Sequence, residues 1–156
     1  MVRTLESATP QSLLQGPKLM QIILGAVVCI LNIGIHALVM TSVVSVAEAA
    51  ERRTASLRFL GLAAVMSATV LVLMAAHTLE VLVWALAYAT FGVAPPDTDL
   101  VYFAFVNYAT LGYGDIVPVE GWRLIGPITA MNGVLLFGWS TAVIFEVLRK
   151  AMHETR

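Results

Sequence analysis

The chain has 156 residues, 59% of them apolar and 12% charged, with a formal net charge of −1. Its mean hydropathy is +0.86, whereas a soluble domain is about 45–50% apolar and roughly 25% charged. These figures exclude a soluble globular domain and a disordered chain, the single cysteine excludes a disulfide scaffold, and the charge balance gives no attraction for nucleic acid. An integral membrane protein is what remains.

Residues 1–18 are polar and mixed, and are expected outside the cytoplasm. The apolar run that follows, 19–46, is longer than the roughly 7–15 residues of a signal-peptide core, so it is expected to be a retained transmembrane helix. Residues 47–58 read as a loop carrying Arg52, Arg53 and Arg58. The second apolar run, 59–92, is interrupted by Glu80. As one straight helix it would be about 50 Å long, against about 30 Å of bilayer core, so it is expected to bend or to project from the membrane. A third span occupies 122–148, and the tail 149–156 carries Arg149, Lys150 and Arg156. The stretch 91–121 contains no Lys or Arg but holds Asp97, Asp99, Asp115 and Glu120. The positive-inside rule therefore puts the 47–58 loop and the C-terminus in the cytoplasm and the N-terminus outside, in a multi-pass protein of the cell (inner) membrane.

Between the second and third spans, Pro95-Pro96 stop any incoming helix. Asp97, Thr98 and Asp99 supply helix N-cap candidates. Residues 100–109 are apolar and aromatic but too few to span, which fits a re-entrant half-helix. It runs into Thr110-Leu111-Gly112-Tyr113-Gly114-Asp115. Glycine accepts positive φ cheaply, so glycines at alternate positions allow alternating backbone dihedrals, which turn successive carbonyls toward one axis. Irregular backbone at membrane depth is tolerated where it is buried in protein or lines a water path. Rings of such carbonyls replace the hydration shell of a cation, and Thr110 adds a hydroxyl at the inner end.

This hexapeptide resembles the signature of the potassium channel superfamily, in which TVGYGD is commonest. The chain is also similar to small bacterial ion-channel-domain proteins with one extra N-terminal helix. Their filter is followed by a WRL, NG and FGWSTA series, here Trp122-Arg123-Leu124, Asn132-Gly133 and Phe137-Gly138-Trp139-Ser140-Thr141-Ala142. The resemblance implies an all-α integral membrane protein with three transmembrane helices plus a re-entrant pore helix and filter loop. The pore domain would cover 59–150: outer helix 59–92, pore helix and filter 98–115, inner helix 122–148. It implies a homotetramer in the lipid bilayer, passive K⁺ conduction, no cofactor beyond the permeating K⁺, and no enzyme activity. The K⁺ ligands would be the carbonyls of Thr110, Leu111, Gly112 and Tyr113, with Gly114, Asp115, Tyr102 and Phe103 as filter support. The sequence departs from the family at Ala109, where a second Thr is usual, and at Leu111, where Val is usual. Tyr102-Phe103 replace a tryptophan pair; Phe103 cannot donate a hydrogen bond to Tyr113, whereas Tyr102 can reach Asp115. Val106 stands where some relatives carry a glutamate.

In the third span, Asn132 and Ser140 either line the inner cavity or bond to neighbouring helices, and Gly133 and Gly138 either form a gating hinge or allow close helix packing. No span repeats Arg at every third position, so no voltage sensor is recognisable, and any gating partner is unknown. His77 and Glu80 share a helical face, as a local polar brace or as a pH-sensing pair. His36 and Asn32 share a face of the first span. Counting from the cytoplasmic side puts His77 about 28 Å deep and His36 about 18 Å, so the two are not expected to meet, and no three-residue metal or haem site is expected. Trp84, Tyr88 and Trp122 suit an outer aromatic belt. The alternative function is a poorly conducting, pore-fold sensor or auxiliary subunit that uses His36, His77 and Glu80.

Overall fold

The computed structural model describes residues 16–51 and 58–153. Among them are four helices: α1 (Gly16–Glu51), α2 (Arg58–Phe91), the short α3 (Leu100–Tyr108) and α4 (Ile125–His153). Three stretches are long and apolar enough to cross a membrane: Lys18–Val43, Gly61–Phe91 and Ile125–Lys150. The protein is all-helical among the described residues, with α3 as the one helix too short to span.

α1 continues past the expected end of its span to Glu51. Residues 47–51 are Ala and Glu, strong helix formers with no breaker among them, so the helix runs on beyond the apolar stretch. Arg52, Arg53 and Arg156 lie outside the described residues. α2 stops at Phe91, just before Pro95 and Pro96. α3 starts where Asp99 caps it: the carboxylate accepts from the N–H groups of Val101 (3.1 Å) and Tyr102 (3.0 Å). Pro127 falls in the first turn of α4, where its missing N–H costs no helical bond.

Contacts between helices fix their directions. Gln21 of α1 accepts a bond from the Leu124 N–H at the start of α4, Asn32 bonds to Asn132, and His36 reaches Ser140. Positions rise together in this series, so α1 and α4 run parallel. α2 runs antiparallel to both, since Asn32 meets the Glu80 carbonyl and Met40 and Val43 share a cluster with Leu73. The start of α1 therefore lies at the same end of the bundle as the loop that carries α3.

α3 packs against α2 and α4, and α1 packs on the other side against the same two helices. The main core gathers Trp84, Tyr88, Phe103, Tyr108, Ile125 and Leu136. A smaller cluster of Met40, Val43, Leu73, Val143 and Val147 closes the opposite end. Large apolar side chains remain exposed along each span, among them Ile30, Leu38, Leu71, Leu86, Val134 and Phe145. Such continuous apolar faces suit lipid or another subunit rather than water. Trp84 and Tyr88 are fully buried, not part of an outer belt. Their polar ends are taken up inside: Trp84 Nε1 donates to Asn132 (2.9 Å), and the Tyr88 hydroxyl pairs with Thr129 (2.7 Å). Trp122 is half-buried against Phe91.

Candidate functional site

The α3 C-terminus leads directly into the TLGYGD loop. The Leu111 N–H returns to the Val106 carbonyl (2.9 Å) and the Thr110 N–H to that of Asn107 (3.0 Å). This six-to-one and five-to-two pairing is a Schellman cap, in which the residue just past the helix takes a left-handed conformation. Thr110 occupies that position with φ 61°. Glycine usually stands there, and a β-branched residue pays about 1–2 kcal/mol for it. The first residue of the loop is thus also the cap of the helix behind it, and the two form one unit. No glycine marks this cap, so it is not legible from residue type. Thr110→Gly is expected to raise thermal stability by about 1 kcal/mol, read by unfolding in detergent.

Positive φ recurs at Gly112 (56°) and Gly114 (78°), but not at Leu111 or Tyr113. Residues 110, 112 and 114 therefore alternate with ordinary backbone, as the glycine spacing predicts. A Cβ added at Gly112 or Gly114 would meet nothing within 4 Å. Conformation rather than space requires glycine at these two positions. Leu111 and Tyr113 are 53% and 66% exposed, so their side chains find little packing within the chain.

The flank of the loop is tied to α3. The Tyr102 hydroxyl donates to Asp115 Oδ2 (2.7 Å), and Asp115 Oδ1 accepts the Ile116 N–H (3.0 Å). Phe103 instead points into the core, 1% exposed, with its ring 5.3 Å from that of Tyr88. It braces α3 against α2. Tyr102→Phe is expected to leave the fold intact but to loosen the loop, seen as faster hydrogen exchange at residues 112–116.

The inner-helix residues divide differently from a simple cavity lining. Asn132 is buried and accepts from both Asn32 and Trp84, and Ser140 is buried against two histidines. Both bond to neighbouring helices of the same chain. At Gly133, an added Cβ would lie 2.0 Å from the Tyr108 carbonyl oxygen, so its role is close approach of α4 to α3. Gly138 has open space around it.

The largest departure from expectation lies between α1 and α2. The rings of His36 and His77 are 5.3 Å apart, and Glu80 joins them. His36 Nδ1 is 2.7 Å from Glu80 Oε1, and His77 Nδ1 is 2.9 Å from Oε2. The Tyr108 hydroxyl donates to the same Oε2. On the far side of the two rings, Ser140 Oγ lies 2.9 Å from His77 Nε2 and 3.3 Å from His36 Nε2. Glu80 and His36 are fully buried. The expected depth mismatch shrinks because α1 runs on to Glu51, which puts His36 about 22 Å along the helix axis from that end rather than about 18 Å. A cluster with metal-ligand chemistry is therefore present, where the sequence reading expected none: His36, His77 and Glu80 each offer a donor atom within 4.8 Å of the others. The brace between α2 and the short helix α3 is also present, as the Tyr108–Glu80 bond. The signal that could have revealed the cluster is the polar series on each span, 32/36 on α1 and 132/140 on α4 in one direction and 77/80/84 on α2 in the reverse.

A layer of amides adjoins the cluster. Asn32 Nδ2 donates to the Glu80 carbonyl (3.3 Å) and to Asn132 Oδ1 (3.0 Å), leaving Asn32 Oδ1 and Asn132 Nδ2 without partners. The extra helix is thus joined by polar contacts to α2 and α4, and through Glu80 to α3.

Against known proteins, a family model described as ion channel matches residues 69–150, more than half of the chain. Neither a curated protein nor a solved structure matches it.

Proposed function

The chain belongs to the ion channel family, and we propose that it conducts K⁺ selectively and passively as a homotetramer, through a filter formed by Thr110, Leu111, Gly112 and Tyr113. The observation that carries this reading is the alternation of positive φ at Thr110, Gly112 and Gly114 at the end of a capped re-entrant helix. Four such loops around an axis would stack carbonyl rings for a dehydrated cation, with K⁺ as the only ligand required. The exposed Leu111 and Tyr113 side chains favour an assembly, because they need neighbours to pack against. Gly114, Asp115 and Tyr102 hold the loop, and Phe103 acts through α3. The charge pattern supports the inner membrane, with the C-terminus cytoplasmic and the N-terminus and filter outside.

The test is flux from liposomes that hold the purified protein, K⁺-loaded beside Na⁺-loaded, with barium as blocker. Flux in K⁺ alone is expected, and Gly112→Ala should reduce it at least tenfold, because a Cβ at φ 56° is strained whatever space surrounds it. Equal Na⁺ flux would overturn the selectivity. A second reading, a poorly conducting sensor or auxiliary subunit with His77 and Glu80 as its pH-sensing pair, draws on the buried cluster two residues from Thr110 in sequence. Under it, His77→Ala would abolish function and Gly112→Ala would leave it intact.

A further inference from the structure

We propose that His36, His77 and Glu80 bind one divalent transition-metal ion of the zinc class in each chain, fastening the N-terminal helix to the pore domain. The inference goes beyond ion conduction and does not depend on it. It begins with a count of protons. Of the six contacts in the cluster, five run to Glu80 or Ser140 (His36 and His77 each to Glu80, Tyr108 to Glu80, and both histidines to Ser140), and the sixth joins His77 Nδ1 to the Tyr108 hydroxyl. An ionised carboxylate only accepts, and each neutral imidazole, the serine and the tyrosine bring one polar proton apiece. Four protons cannot serve five contacts. If both Nδ1 atoms donate to Glu80, both Nε2 lone pairs face a single hydroxyl that has one proton to give. The carboxylate meanwhile sits at 0% exposure with no lysine or arginine ion-paired to it among the described residues, a costly position for an uncompensated charge.

A metal ion on the Nδ1 side removes both faults. It takes the two Nδ1 lone pairs and a Glu80 oxygen, and its charge offsets the carboxylate. Both Nε2 atoms then carry hydrogen and donate to Ser140 Oγ, which has two lone pairs to accept them. Metal-bound histidines characteristically donate their other ring N–H to such a partner. The spacing fits. Around a tetrahedral zinc with ligands at about 2.0–2.1 Å, neighbouring donors stand about 3.3 Å apart. Here the His36–Glu80 and His77–Glu80 pairs are at 2.7 and 2.9 Å. The Tyr108 hydroxyl, 3.0 Å from His77 Nδ1 and bonded to Glu80, is the fourth donor. Two imidazoles and a carboxylate suit zinc, cobalt or nickel. They do not suit Mg²⁺ or Ca²⁺, which seek six or more oxygens. The rings are held before any metal arrives, His36 against Trp139 (5.3 Å) and His77 against Phe137 (4.7 Å).

The test uses the full chain in detergent, stripped with a chelator, dialysed against buffered Zn²⁺ and analysed by elemental mass spectrometry. One zinc per chain is expected, with affinity at least tenfold weaker in His36→Gln and in His77→Gln. Ser140→Ala should weaken it by about 10–100-fold, as loss of such a supporting bond does. His153→Gln removes the remaining histidine of the chain and should change nothing. Cobalt uptake by the unaltered protein provides a readout that needs no variant, since a tetrahedral nitrogen–oxygen site gives intense visible bands. Zinc retained by a helical, monodisperse His36→Gln/His77→Gln double variant would overturn the proposal. So would an unaltered protein that takes up neither metal, since the missing fifth proton would then reside on a histidine.

Discussion

Gly133→Leu is expected to prevent the bundle from forming, and Gly133→Ala to destabilise it by about 3 kcal/mol. A Cβ at this position would stand 2.0 Å from the Tyr108 carbonyl oxygen and 3.0 Å from its carbon. Overpacking against side chains typically costs 1–3 kcal/mol, because rotamers can adjust. Here the obstacle is backbone, and that backbone is pinned. The α3 end is closed by the Leu111 and Thr110 cap bonds, and the Tyr108 side chain is held by Glu80. Relief therefore requires α3 or α4 to move as a whole. Gly138→Ala is the control: nothing lies within 4 Å of its added Cβ, and alanine gains about 1 kcal/mol of helix propensity over glycine. Thermal unfolding in detergent, followed by tryptophan fluorescence, should place Gly133→Ala well below the unaltered protein and Gly138→Ala at or above it. Equal losses at both sites would contradict a packing role specific to Gly133. Because Tyr108 is two residues before Thr110, the same displacement should disturb the loop, and ion flux in Gly133→Ala should fall more than its stability alone explains.

The parts of this molecule that were legible in the sequence are those set by local chemistry. Long apolar runs locate the spans, Pro95-Pro96 and Asp99 bound the short helix, and the glycines at 112 and 114 mark the alternating loop. Tyr102 reaching Asp115 followed from their positions at the two ends of that unit. What was not legible is which side of each span faces inward. α2 is apolar nearly all round, so hydropathy cannot separate a lipid-facing side from a packed one, and helix pairing decides. Trp84 and Tyr88 suit an outer aromatic belt by residue type, yet each has a buried hydrogen-bond partner on α4 that only the pairing supplies. The meeting of His36 and His77 was missed for a related reason. Depth counted from a loop depends on where the helix ends, and an Ala/Glu stretch lengthens α1 without adding hydrophobicity. Thr110 as a helix cap was hidden because its left-handed backbone arises from two hydrogen bonds, not from residue type.

Glu80→Ala is expected to cost about 3–5 kcal/mol and to detach α1 from the rest of the bundle. The carboxylate is the acceptor for groups on two other helices, His36 of α1 and Tyr108 of α3, and for His77 on its own helix. Neutral hydrogen bonds between membrane helices average only about 0.6 kcal/mol, because partners are also found in the separated state. Two of them would account for little more than 1 kcal/mol. Truncating one member of a buried charged network costs about 3–5 kcal/mol, since the remaining polar groups are stranded without a partner. The size of the loss thus tells a charged network from a set of ordinary bonds. Glu80→Gln keeps the shape and one acceptor oxygen and should fall between the two. The pairing of α1 with α2 can be isolated by a cycle of Glu80→Ala, His36→Phe and the double variant, with unfolding free energies measured in mixed micelles. A coupling above about 1.5 kcal/mol is expected for residues in direct contact within one network. Coupling near zero, or a Glu80→Ala loss of about 1 kcal/mol, would mean that apolar packing of Val28, Met40 and Val43 holds α1 in place and that the buried carboxylate contributes nothing to that attachment.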